Sequence, residues 1–162
     1  MLEKIIDNTS EYIDSMPKKE RKKYGQFFTS IETARYMAEL FEIPQNQDKI
    51  SLLDAGAGSG ILSCAMIERL EHIEGVKKVE VLCYETDENV MPLLQKNLNL
   101  AKEFSSKEVE FVIKEDNYIL SQYLDFNYMV GGNFNPPKYD IVIGNPPYMK
   151  IPKEAPEAKA MP

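Results

Sequence analysis

The sequence predicts an α/β fold with a doubly wound, mainly parallel sheet. Three observations carry this. Short apolar runs recur at residues 50–55 (ISLLDA), 79–85 (VEVLCYE), 109–115 (VEFVIKE) and 139–144 (YDIVIG). Helical segments alternate with them, as in parallel β-α-β units joined by right-handed crossovers. Acidic residues, Asp54, Glu85 and Asp116, stand at or just past the ends of the first three runs. Open α/β sheets bind their ligands there, beyond the carboxyl ends of the strands.

The chain has 162 residues and 43% hydrophobic content, enough for one domain with a packed core. No stretch approaches the roughly 20 apolar residues that span a membrane. The N-terminus, MLEKIIDNTSEYIDSM, is acidic and amphipathic, unlike a secretory leader, so a cytoplasmic protein is expected. Cys64 and Cys83 lie in apolar segments and read as reduced core thiols. There is no CxxC pair and one histidine, His72, on a polar helix end. No metal site is expected, and a Ser-His-Asp or Cys-His hydrolase is disfavoured. The net charge of -7 disfavours the domain as a non-specific nucleic-acid binder. The basic run KKERKK, residues 18–23, departs from that balance. It reads either as a solvated turn or as a patch facing phosphate.

Residues 2–16 place Leu2, Ile5, Ile6, Tyr12, Ile13 and Met16 at helical spacing, and Pro17 ends that helix. After YGQFFTS, residues 24–30, a helix is expected over 31–42, with Thr29 or Ser30 as its N-cap. Its inward face would carry Ile31, Ala34, Met37, Ala38 and Phe41. The first strand, 50–55, runs into the glycine turn GAGSG. A helix over 61–73 follows, broken by Gly75, and then the second strand. The next helix covers 87–104, with Pro92 tolerated in its first turns. After the third strand come a short helix over 117–124 and a loop rich in Gly, Asn and Pro over 126–138. The fourth strand then leads to GNPPY. The organisation expected is an N-terminal helical segment over 1–45, a core over 46–150 and an unstructured Pro/Ala-rich tail over 151–162.

In DAGAGSG, Gly56, Gly58 and Gly60 sit between a strand and a helix. Glycines there allow a tight turn and a close approach of a ligand to the backbone. The spacing is GxGxG rather than the GxGxxG of a dinucleotide pyrophosphate site, and Asp54 stands two residues before Gly56. Glu85 can accept two ribose hydroxyls, a role equally suited to a nicotinamide enzyme. The glycine spacing and Asp54 favour S-adenosylmethionine, whose sulfonium and amino groups are cationic. Three carboxylates on one rim would repel a pyrophosphate.

Asn-Pro-Pro occurs twice, at 135–137 and at 145–147. The second copy directly follows the apolar run 141–143, so it sits at the carboxyl end of the fourth strand, beside the glycine turn. The first precedes that strand and reads as a turn at the opposite end of the sheet. Asn145 offers a side-chain oxygen, and the Pro146 carbonyl is a second acceptor outside any regular ladder. Together they can hold both N–H groups of a planar –NH2. That pyramidalises a nitrogen whose lone pair is otherwise delocalised and makes it nucleophilic. Tyr148 supplies a stacking face. The surplus proton can leave afterwards, which suits a site without histidine.

Over residues 24–148 the chain resembles the amino-methyltransferases of DNA, specifically the adenine-N6 class in which cofactor motifs precede the catalytic one. YGQFFTS resembles the motif that closes over the methionine end of S-adenosylmethionine, which implies roles for Tyr24, Phe27 and Thr29; Ser30 stands where the family commonly has proline. DAGAGSG resembles the glycine motif, implicating Asp54, Ala55, Gly56, Gly58 and Gly60. YETD resembles the ribose motif, implicating Glu85 and Thr86. EDNYIL resembles the motif whose acid, Asp116, meets the cofactor's adenine amine; Asn117 stands where an apolar residue is frequent. GNPPY matches the catalytic motif in full: Asn145, Pro146, Pro147 and Tyr148.

The resemblance implies a Rossmann-like methyltransferase fold and methylation of a flipped adenine in double-stranded DNA, within a restriction-modification system. The same NPPY serves methyltransferases of protein glutamine amides and of RNA guanine amines, and a non-catalytic cofactor-binding or DNA-docking module is a further alternative. GQFFTS ahead of the glycine motif favours DNA adenine. The chain ends 14 residues after Tyr148. A partial core, truncated after its fourth strand, is therefore expected, with most DNA contacts outside these residues. No membrane or metal partner is expected.

Overall fold

The computed structural model describes residues 1–19, 28–44, 46–122, 137–146 and 152–160. Four strands form one parallel sheet: β1 (Lys49–Asp54), β2 (Lys78–Tyr84), β3 (Glu108–Lys114) and β4 (Ile141–Ile143). Their order is β3-β2-β1-β4. The chain thus moves outward from β1 through β2 to β3 and then returns to the other side of β1. The order reverses between β1 and β4, which makes their carboxyl ends the topological switch point.

One sheet face carries Ile50, Leu52, Val79, Val81, Cys83, Val109, Ile141 and Ile143, all in the hydrophobic core. These alternate core positions, with further apolar residues between them, made the strands visible in the sequence. Helices α3 (Ile61–Leu70) and α4 (Met91–Phe104) cover that face. Helix α3 is almost wholly buried because α1 (Leu2–Ser15) and α2 (Ile31–Glu39) pack on its outer side. Arg35 joins these layers, reaching Glu3 on α1 at 2.9 Å and Glu68 on α3 at 2.8 Å. On the opposite sheet face Val112 and Val142 are exposed.

Several boundaries differ from expectation, each for a local reason. Ser30 is the N-cap of α2, accepting the Thr33 amide at 3.3 Å, but the helix stops at Glu39 rather than 42. Arg69 of α3 donates to the Ala38 and Phe41 carbonyls and so takes over acceptors the helix end would otherwise leave unpaired. Helix α3 ends at Leu70, short of 73, where the Leu70 carbonyl instead closes a turn onto the Ile73 amide at 3.1 Å. Helix α4 starts at Met91 rather than 87. The Asp87 carboxylate accepts both the backbone amide and the side-chain amide of Asn89 at 3.0 Å, which fixes a non-helical turn first.

Residues 118–122 are helical, within the short helix expected after β3. The Pro/Ala-rich tail, expected to be unstructured, folds as α5 (Pro156–Ala160). Proline suits a first helical turn, Glu157 and Lys159 complement the helix ends, and alanine has high helix propensity. Cys64 and Cys83 are buried free thiols, and burial pushes both thiol pKa values up. His72 is exposed. The first Asn-Pro-Pro copy, except Pro137, lies outside the described residues, as does most of the basic run after Lys19.

Candidate functional site

The site is built where β1 and β4 end. Register pairs Asp54 with Cys83 on β2 and with Ile143 on β4. Asn145 is therefore two residues past the β4 partner of Asp54, level with Gly56 two residues past Asp54 itself. Gly58 has φ +53° and Gly60 φ +78°, left-handed values that glycine adopts without a Cβ penalty. Gly60 is also the N-cap of α3 and packs closely on α4: a Cβ there would come within 2.7 Å of Leu94 Cδ1. At Gly56, by contrast, a Cβ would meet nothing within 4 Å, so this backbone faces open space that a ligand can enter.

Glu85 holds the turn from the neighbouring strand. Its Oε2 accepts the Gly58 amide at 2.7 Å, and its Oε1 accepts the amides of Thr86 at 2.7 Å and Asp87 at 2.9 Å. A carboxylate has about four acceptor positions, so three backbone bonds leave one for a hydroxyl, and a second hydroxyl would have to share. The Ala57 amide donates to the Tyr84 carbonyl at 2.9 Å, a second tie between the turn and β2.

Asp54 has different surroundings from the exposed rim its position suggested. Its side chain is fully buried beneath the turn, and Oδ2 accepts the Ser63 hydroxyl at 2.8 Å. Oδ1 has no hydrogen-bond partner among the described residues. Burial pushes the carboxyl up to about 6; the Ser63 hydroxyl and the nearby Gly56 amide offset only part of that. A buried group of this kind favours a cation close by.

Across the turn, the Asn145 side-chain amide donates from Nδ2 to Thr29 Oγ1 at 3.0 Å. Phe28 lies beside Gly58, with ring carbons 3.8–4.0 Å from the position of a Cβ there. Phe28, Thr29, Gly56, Gly58, Ser59 and Asn145 thus line one small cleft of about 30 Å³. A larger cleft of about 360 Å³, between α4 and β3, contains none of the candidate catalytic or cofactor-binding residues.

The structure therefore brings Thr29, Gly56, Gly58 and Asn145 together, with Glu85 bonded to the turn and Asp54 beneath it. Ala55 and Gly60 belong to the same turn, and Thr86 touches Glu85. Asp116 is exposed beyond β3, and Asn117 donates to Glu157 of α5 at 2.8 Å. Pro146 follows Asn145 and is exposed. Tyr24, Phe27, Pro147 and Tyr148 lie outside the described residues. Three supporting residues escaped the sequence reading: Phe28, Ser63 and Asn97. Asn97 is fully buried, donates to the Ser59 carbonyl at 2.9 Å and accepts from Asn8 at 2.9 Å. Its signal was a polar residue on the apolar face Leu93, Leu94, Leu98, Ala101.

The family profile described as N-6 DNA Methylase matches residues 4–159. The chain belongs to that family. The chain is 34% identical over 154 residues to the type II methyltransferase M.PstI of Providencia stuartii, covering 91% of this chain and 28% of that protein. It is 32% identical over 139 residues to the type II methyltransferase M.BsuBI of Bacillus subtilis, covering 82% and 26%. A ribosomal RNA small subunit methyltransferase A from Fusobacterium nucleatum is 32% identical over 98 residues, covering 60% and 31%. The chain thus spans less than a third of the length of these relatives. Among solved structures, one described as an O-methyltransferase, from Klebsiella pneumoniae, superposes with a TM-score of 0.50 at 16% identity, covering 87% of this chain and 50% of that one. That likeness agrees with the Rossmann-like, doubly wound fold of a methyltransferase core. Among the described residues no helix is long and apolar enough to cross a membrane, and no His/Cys/Asp/Glu cluster is suited to a metal.

Proposed function

We propose that the chain is the cofactor-binding and catalytic portion of a DNA methyltransferase that modifies the N6 amine of adenine. The observation that carries this reading is the position of Asn145: level with the glycine turn, at the switch point, in contact with Thr29. S-adenosylmethionine, when bound, supplies an electrophilic sulfonium methyl group. The residues present suit it. Gly56 leaves open backbone for close approach, Glu85 offers a carboxylate to ribose hydroxyls, and the buried Asp54 favours a cationic group above it. Asp116 and Asn117 are assigned to its adenine end, and Tyr24, Phe27 and Thr29 to its methionine end.

Asn145 Oδ1 and the Pro146 carbonyl accept the two N–H groups of the target amine and turn its lone pair toward the cofactor side of the cleft. Pro147 stiffens this stretch, and Tyr148 stacks on the flipped base. The surplus proton leaves to water, so no strong base is required. The alignment with type II enzymes over most of this chain supports a role in a restriction-modification system, and we read the protein as cytoplasmic. The net charge of -7 supports a DNA-reading surface outside these 162 residues. A ribosomal RNA relative aligned over a shorter stretch makes an RNA amine the second reading.

The test is transfer of labelled methyl from S-adenosylmethionine to an adenine-containing duplex, a matched RNA and a glutamine-containing peptide. Cofactor binding is followed in parallel by calorimetry. Methylation of N6 in the duplex, lost in Asn145→Ala with binding retained, is the expected result. Transfer to RNA or peptide alone would overturn the substrate, and binding without any transfer would favour a docking module.

A further inference from the structure

We infer that Thr29 is a positioning residue that helps hold the Asn145 amide with its oxygen toward the substrate amine. This rests on the reading of Asn145 given above. A primary amide has one accepting and one donating end, and only the oxygen can receive an N–H from an exocyclic amine. An amide free to rotate would present its –NH2 to the substrate part of the time, donor against donor. In the structure Nδ2 donates to Thr29 Oγ1 at 3.0 Å, across 116 positions of sequence. Because the amide is planar and its oxygen and nitrogen diverge, that bond turns Oδ1 away from Thr29.

The support for Thr29 is itself anchored. It immediately precedes Ser30, whose hydroxyl caps α2 through the Thr33 amide, so helix formation holds the Thr29 backbone in place. Phe28 on its other side rests against Gly58. The segment expected to close over the cofactor therefore also reaches the catalytic asparagine. Cofactor closure and substrate-amine alignment then share one residue, and orienting the acceptor in advance is the kind of effect that placement contributes to rate.

The experiment compares Thr29→Val, which keeps the shape but loses the acceptor, with Thr29→Ser, which keeps it. The first readout is the ¹⁵N-resolved side-chain NH2 signal of Asn145 in this chain, assigned by its loss in Asn145→Ala. Thr29→Val should shift that signal and Thr29→Ser should leave it near its original position. The second readout is single-turnover methyl transfer against the cofactor Kd. Thr29→Val should slow transfer at saturating cofactor roughly 10- to 100-fold, beyond any loss of cofactor affinity that its place at the methionine end entails, and Thr29→Ser should restore the rate. An NH2 signal unmoved by Thr29→Val would mean that the amide is held the other way round, and would overturn the inference. So would a transfer rate at saturating cofactor that Thr29→Val leaves unchanged. Absence of methyl transfer in the unsubstituted protein would instead count against the proposed function, and the NH2 signal would still decide the role of Thr29.

Discussion

Glu85 and Gly58 meet at 2.7 Å, carboxylate to backbone amide, across 27 residues of sequence. The bond links the end of β2 to the left-handed corner of the glycine turn. One side chain thus shapes the loop and, in the proposed function, offers the acceptor for a ribose. Glu85→Ala should remove both contributions. Hydrogen bonds to charged groups are worth about 1.5–3 kcal/mol each, so the cofactor Kd should rise by roughly tenfold or more. Titration calorimetry checks this, and an unchanged Kd would remove Glu85 from the binding site.

Gly60→Ala tests the turn alone. The substitution forces a Cβ into a left-handed position, at about 1–2 kcal/mol, and pushes it against the buried Leu94 at 2.7 Å. The combined loss of stability should be about 2–4 kcal/mol in urea unfolding. Gly56→Ala, with open space at the same point, should cost well under that. Equal losses at the two positions would contradict the turn geometry.

Asp54 should show itself in the pH dependence of stability. Its carboxyl is pushed up to about 6 in the fold, against about 4 in an unfolded chain. Between those values the folded protein keeps a proton that the unfolded chain has lost. Its contribution to stability therefore falls as pH rises from about 4 to about 6 and is level above that. The full change amounts to about 3 kcal/mol. Asp54→Asn stays neutral, so its stability relative to the unsubstituted protein should grow by up to that amount across the window. Urea midpoints at pH 4, 5, 6 and 7 measure the difference, and the other carboxylates cancel because both proteins contain them. A difference independent of pH would show that Asp54 is ionised throughout.

Asn97 should matter to the turn it supports from below. Asn97→Leu fits the apolar surroundings but withdraws the donor from the Ser59 carbonyl and the acceptor from Asn8. A loss of about 1–3 kcal/mol is expected, from a buried carbonyl left unpaired. Asn8→Ala removes only the outer bond, at a part-buried position, and should cost less. If Asn97→Leu proved as stable as the unsubstituted protein, the relay would not be holding the turn.

The strands and their order of appearance were legible because each is a short run rich in apolar residues, with one face in the core. Helix ends were less so. The early stop of α2 depends on Arg69, which is 30 residues further along, and the late start of α4 depends on the Asp87 turn. Both are hydrogen-bond competitions that hydrophobic periodicity does not register. Phe28, Ser63 and Asn97 were missed for a related reason. Their roles lie in what they touch, and only Asn97, a polar residue on an apolar helix face, carried a local signal.

By itself the sequence determined the α/β class, the glycine turn with its flanking acids, and the place of the second Asn-Pro-Pro just past the fourth strand. Those are local properties: periodicity, φ freedom and position relative to a strand. Only the tertiary structure decided that Asp54 is buried under the turn while Glu85 is bonded to it, and that Thr29 meets Asn145. Contacts across 27 and 116 residues exist because the sheet order sets β1 between β2 and β4, which brings separate strand ends to one rim.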